Sequence, residues 1–148
     1  MARDYRKITA FQKADELAVK VYEATRDWPA EERYGLTSQV RRAVVSAAAN
    51  IVEGASRNTD QDYLHFLSIA RGSLREAGYL LHLSTRLGYI NRVVFAELDA
   101  LHDEANRVLF GLIQSAADSV QEKRAYRIRE DTLPYPASEI RPDLREEG

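Results

Sequence analysis

The four prolines of the chain lie at 29, 134, 136 and 142, so residues 30 to 133 contain nothing that must interrupt a helix. Proline inside a helix removes a hydrogen bond and clashes with the preceding turn, at a cost of about 3 kcal/mol. Its absence over so long a span, with no strand-like alternation, points to an all-α body divided only by turn chemistry. Residues 8–27 place Ile8, Phe11, Ala14, Leu17, Ala18, Val21 and Tyr22 at helical spacing, with Thr9 able to cap and "DWP" closing the run. After "WPAEERYG", Thr37 or Ser38 can cap a second helix over 37–55, and "RNTD" then offers Thr59 or Asp60 as the next N-cap. A third helix covers 60–87. "LGYIN" supplies Gly88 as a C-cap and Asn91 as an N-cap, and a fourth helix covers 91–122. Residues 123–148 hold the other three prolines and mixed charge, and read as a basic, then proline-containing, flexible tail.

Four helices joined by short connections make antiparallel neighbours, and hence an up-down-up-down four-helix bundle in a single domain. Tyr63, Phe66, Leu67, Ala70, Leu74, Ala77 and Leu81 form the core stripe of helix three; Val94, Leu98, Leu101, Ala105, Val108 and Leu112 form that of helix four. Helix three carries a second stripe, Ile69, Ser73, Glu76, Leu80, Leu83 and Leu87, roughly 120 to 140° from the first. Helix two is likewise apolar on two faces, one with Val40, Val44, Ala47 and Ile51, the other with Val45, Ala48, Ala49 and Val52. A monomeric bundle does not need the extra faces. They predict a subunit interface built on Val45, Val52, Ile69, Leu80, Leu83 and Leu87.

The stretches "YGLTSQVRRAVVSAAANIVEGASR" and "YLHFLSIARGSLREAGYLL" carry linked motifs: Asn50, Ile51, Glu53 and Gly54 on helix two, then Ala70, Gly72, Ser73 and Glu76 on helix three. In these the chain resembles the four-helix-bundle proteins encoded by intervening sequences in bacterial 23S rRNA genes. The accessory variability determinants of diversity-generating retroelements are similar. The likeness covers roughly residues 5 to 120. It implies a homo-oligomeric, pentameric barrel of bundles and, for the retroelement members, binding to RNA or DNA and to a reverse transcriptase. Those members are strongly basic, whereas this chain has a net charge of −2.

Facing residues of helices two and three have numbers that sum to about 117 if the turn is centred between Arg57 and Asp60. That sets Arg42 near Glu76, Val44 near Ser73 and Asn50 near Leu67. Gln39, Arg42, Ser46, Asn50 and Glu53 line one edge of helix two, and with Ser73 and Glu76 they predict a hydrogen-bonded structural seam. Gly72 and Gly78 would allow close approach. Buried polar groups are costly unless paired, but they can select one register among several.

No catalytic constellation is visible, so the chain reads as a non-enzyme without a cofactor. Asp62-x-x-His65 and Asp99-x-x-His102 imitate half of a di-iron bundle motif, but Asp62, His65 and Asp99 point away from the core stripes, and no metal centre is expected. His82 reads as solvated. Zero cysteines, no apolar leader and no membrane-length apolar run fit a cytoplasmic protein with no membrane partner.

Charge is unevenly spread. Residues 89–122 carry two cations against six carboxylates, while 36–88 carry six against four. On helix three, Arg71, Arg75, His82 and Arg86 fall within about 60° of one another beside Tyr79, with no carboxylate between them. "KRAYRIR" adds Lys123, Arg124, Arg127 and Arg129. Both groups are candidate phosphate contacts. The sequence therefore predicts a self-assembling scaffold for nucleic acid or a nucleic-acid enzyme. The alternative is a protein-binding or structural oligomer.

Overall fold

The computed structural model describes residues 3–132. Four helices account for most of them: α1 (Thr9–Ala24), α2 (Leu36–Ala55), α3 (Asp60–Arg86) and α4 (Arg92–Thr132). Each packs against two others in the closed order α1, α2, α3, α4 and back to α1. Neighbours run antiparallel: Ser46 meets Ser73 while Gly54 meets Tyr63 and Phe66, and Leu74 meets His102 while Arg71 meets Phe110. All described regular elements are helical. None is long and apolar enough to cross a membrane.

The helix ends follow local chemistry. Thr59 caps α3 by accepting from the Asp62 amide at 3.1 Å, and Asn91 does the same for the Val94 amide at 2.8 Å. Gly88 turns the chain between them at φ +80°, where a side chain would be strained. Three helices differ from expectation at their ends. Thr9 does not cap α1, whose N-cap is Ile8 with no side-chain bond, and the helix ends at Ala24 rather than 27. At α2 neither Thr37 nor Ser38 is the cap; Glu32 reaches across the connecting turn and accepts from the Leu36 amide at 2.8 Å. Helix α4 continues through Lys123, Arg124, Arg127 and Arg129 to Thr132. Nothing in 123–132 breaks a helix, and the first breaker is Pro134. The rest of the expected flexible tail, 133–148, lies outside the described residues.

Leu17, Ile51, Leu67, Leu74, Leu81 and Leu109 form the fully buried centre with Val21, Val40 and Val44. Burying each leucine or isoleucine contributes about 1.5–3 kcal/mol relative to leaving it in water. Because α3 sits between α2 and α4, its buried arc is wide. Leu80 falls inside it at 4% exposure, and Leu83 packs against the core from its edge. Leu80 is thus a core residue of its own bundle, a correction to its predicted place in a subunit interface.

Asp60 ties together three distant segments. Its Oδ1 accepts from Arg3 at 2.6 Å and its Oδ2 from Lys123 at 2.5 Å. Arg3 also stacks over the Tyr63 ring at 3.9 Å, and its backbone amide bonds the Ala55 carbonyl. The Lys123 ammonium, with Arg3 adding to it, holds the Asp60 carboxyl below its ordinary value of 3.8. The folded protein therefore binds this proton less readily than the unfolded chain does. The resulting stability is complete above the ordinary carboxylate range and is lost as pH falls through the folded value. Asp60→Asn should lower stability by about 1 kcal/mol at pH 7. The gap from wild type should close on acidification below pH 3.8 in urea titrations. A gap that stays constant with pH would show that the clamp does not work through charge.

Candidate nucleic-acid interface

The polar seam runs along α2 and α3, with its residues half-buried or exposed. Asn50 Nδ2 donates to the Ser46 carbonyl at 2.8 Å and to Ser46 Oγ at 3.1 Å. Ser46 Oγ lies 2.8 Å from Ser73 Oγ, so the Ser46 hydroxyl can pass its own hydrogen to Ser73. Asn50, Ser46 and Ser73 are half-buried, whereas Gln39, Arg42, Glu53 and Glu76 face water. Arg42 and Glu76 form no ion pair, and Glu53 bonds Arg57 at 2.5 Å instead. Ser46 and Ser73 sum to 119, about two more than expected, so Ser73 meets Ser46 rather than Val44. Neither serine hydroxyl bonds a histidine or carboxylate among the described residues, so neither has the base that a nucleophile requires. The Ser46–Ser73 hydrogen bond links α2 to α3.

Of the expected pair only Gly78 makes a close approach, and it does so toward α4; at the α2–α3 contact the glycine is Gly54. Gly72 has open space around it, while Gly54 abuts Phe66 and Tyr63, and Gly78 lies under the His102 ring. Beside the seam, Val45 is 44% exposed and Ile69 39%; Leu87 is exposed at the end of α3, and Val52 is half-buried. Of the six groups predicted for self-association these four remain accessible, whereas Leu80 is buried and the half-buried Leu83 packs against the core.

On the opposite flank of α3, toward α4, lies the basic stripe. The Arg71 guanidinium stacks over the Phe110 ring at 4.8 Å, and its buried Nε has no hydrogen-bond partner among the described residues. Arg75 and Arg86 are exposed, and Tyr79 presents 61% of its surface. His82 is exposed and tilts against Phe95. Arg71, Arg75 and Arg86 make no ion pair among the described residues. From Arg71 to Arg86 the stripe extends about 22 Å at 1.5 Å per residue.

The second basic group is elsewhere. Lys123 is held by Asp60 at the far end of α3. Arg124 and Arg127 line a polar cleft of about 710 Å³ with Asn58, Asp60 and Asp62, two of them carboxylates that oppose an anion. Arg129 is exposed beyond it. Asp60 and Arg71 are about 17 Å apart along the helix, so the structure separates the two groups. Phe110 and Arg3 are not singled out by the sequence, and His102 only as a member of the Asp99-x-x-His102 pair. The signal for Phe110 was its place one and two helical turns from Asn106 and His102 on the α4 flank that α3 covers.

The model of the 23S rRNA-intervening sequence protein family matches residues 6–111. A comparison with curated proteins finds no match. Among solved structures, the chain is similar to a crystal structure of a protein of unknown function from the S23 ribosomal protein family of Bacteroides thetaiotaomicron. The two share 25% identity at a TM-score of 0.65, over 71% of this chain and 95% of that one. The linked motifs on α2 and α3 lie within the matched span, and the chain belongs to the 23S rRNA-intervening sequence protein family.

Proposed function

We propose that the chain is a non-enzymatic scaffold that self-associates, as a pentameric barrel, and binds nucleic acid or a nucleic-acid enzyme such as a reverse transcriptase. The observation that carries this reading is the α3 stripe: Arg71, Arg75 and Arg86 stand without counter-charges among the described residues, next to an exposed tyrosine. Repetition of the stripe around a ring would make a multivalent surface, whose avidity offsets the unfavourable net charge. Tyr79 would add stacking on single strands, about 1–3 kcal/mol per base.

Fluorescence anisotropy tests this with a structured RNA and a single-stranded DNA at about 50 and 200 mM salt. Binding should weaken steeply with salt, because it rests on counterion release. The Arg71→Ala, Arg75→Ala, Arg86→Ala variant should bind more weakly and with a shallower salt slope. Full retention of affinity and slope would remove the stripe as the site. Absence of wild-type binding at low salt would favour the second reading, a protein-binding or structural oligomer. That reading has its own support in the α1–α4 groove of about 580 Å³. Its floor is Ala24, Val94, Leu98 and Leu101, and its rim includes Glu23 and Glu97, which repel phosphate.

A further inference from the structure

On the solvent side of α4, Asp99, His102 and Asp103 converge so that one ligand atom from each lies within 4.8 Å of the others. Spacings of three and four residues place all three on one flank of the helix. The histidine separates this group from an ordinary acidic surface. Its side chain is only 12% exposed, wedged against α3 where Gly78 leaves room for the ring. Nε2 lies 2.7 Å from the Leu74 carbonyl oxygen. A carbonyl can only accept, so Nε2 carries the hydrogen, and the lone pair of the neutral ring is on Nδ1. Metal-binding histidines are oriented in this way, with the second ring N–H donated to a backbone carbonyl.

Among the described residues Nδ1 has no hydrogen-bond partner. The Asp103 Oδ1 atom is 3.7 Å away, too far for a hydrogen bond. Two ligand atoms each about 2.1 Å from a metal ion can stand up to about 4.2 Å apart, so an ion fits between them. The Asp99 and Asp103 side chains are exposed and free to adjust, and neither pairs with a lysine or arginine among the described residues. Glu104, the next acid, is already paired with Lys13 at 3.1 Å. The excess of four carboxylates over cations in residues 89–122 draws cations to this face.

We propose that Asp99, His102 and Asp103 form a surface site for a divalent first-row transition-metal ion, with water completing the coordination sphere. One imidazole with two carboxylates suits ions such as Zn²⁺, Co²⁺ or Ni²⁺. Mg²⁺ and Ca²⁺ favour all-oxygen sets. The expectation of no metal centre rests on Asp62, His65 and Asp99 pointing away from the core stripes. That excludes a site inside the bundle but not one on its surface. The inference is independent of nucleic-acid binding.

The test is calorimetric titration of chelator-treated full-length protein with zinc chloride, beside the Asp99→Asn, Asp103→Asn double variant. Both aspartates are exposed, so circular dichroism should be unchanged. Wild type should bind one Zn²⁺ per chain, and the variant should bind at least about tenfold more weakly. Nitrogen-15 spectra of the His102 ring should show Zn²⁺ shifting Nδ1 while Nε2 keeps its hydrogen. Equal binding by variant and wild type would overturn the proposal. So would wild-type binding of Zn²⁺ no tighter than of magnesium, or metal contact through Nε2.

Discussion

Leu80→Glu should unfold the protein, whereas Val45→Glu combined with Ile69→Glu should leave each bundle folded and break the assembly into single chains of 16.8 kDa. Leu80 is 4% exposed inside its own bundle. Truncating a buried leucine costs about 2–5 kcal/mol. Placing an unpaired carboxylate there adds several kcal/mol more or forces it to take up a proton. Against a typical total stability of about 5–15 kcal/mol, the sum approaches the whole. Val45 and Ile69 already present about two-fifths of their surface to water, and surface substitutions of this kind change the stability of a single chain by about 0.5 kcal/mol or less. Their effect should appear only where another subunit covers them. Light scattering at micromolar concentration separates mass from folding, which circular dichroism reports in parallel. A wild-type chain that runs as a monomer would overturn the oligomeric reading. A double variant that keeps the wild-type mass would move the interface elsewhere.

Gly54→Leu should be nearly as damaging, for the opposite reason. A Cβ at Gly54 would stand 2.9 Å from Phe66 Cβ and 3.1 Å from Tyr63 Cδ2. The Phe66 atom is next to the α3 backbone and cannot swing aside, so α2 and α3 must separate. Helix propensity alone would make alanine better than glycine here by about 1 kcal/mol. Overpacking costs about 1–3 kcal/mol and outweighs it. Gly54→Ala should therefore be destabilising and Gly54→Leu much more so, in contrast to Gly72→Ala. Gly72 has nothing within 4 Å and lies within α3, so the same substitution there should stabilise. Urea midpoints measure the series. A Gly54→Ala midpoint at or above wild type would show that the two helices do not pack this closely.

The helical periodicity, the absence of proline and the caps at Thr59, Gly88 and Asn91 were readable because they are local, and each acts within a few residues. Leu80 was misplaced because phase on a helix wheel tells which residues share a side but not how many neighbours cover that side. With α2 and α4 both against α3, the buried arc reaches Leu80 while Ile69 remains outside. The seam shows the same limit. Asn50, Ser46 and Ser73 were legible as polar positions along facing edges, but an error of about two in the register decides whether Ser73 meets Val44 or Ser46. The partners of Arg71 and Asp60 were not legible at all, since Phe110, Arg3 and Lys123 lie at least 39 residues away in sequence.

The final stretch of α4 has a different physical character from the rest of the bundle. Ala116 is its last buried residue, and every residue from Gln121 to Thr132 is exposed. An isolated helix of about this length is marginal in water. Backbone amides there can open to solvent without any core leucine being disturbed, whereas those near Leu109 open only with the whole bundle. Hydrogen-exchange protection should therefore decay along α4 toward its C-terminus, with a step at Lys123 where Asp60 anchors the helix. Beyond that anchor the helix behaves as a separate foldon of low local stability. A ligand docking on Arg127 or Arg129 would draw part of its apparent affinity from how much of that segment is already wound when it arrives.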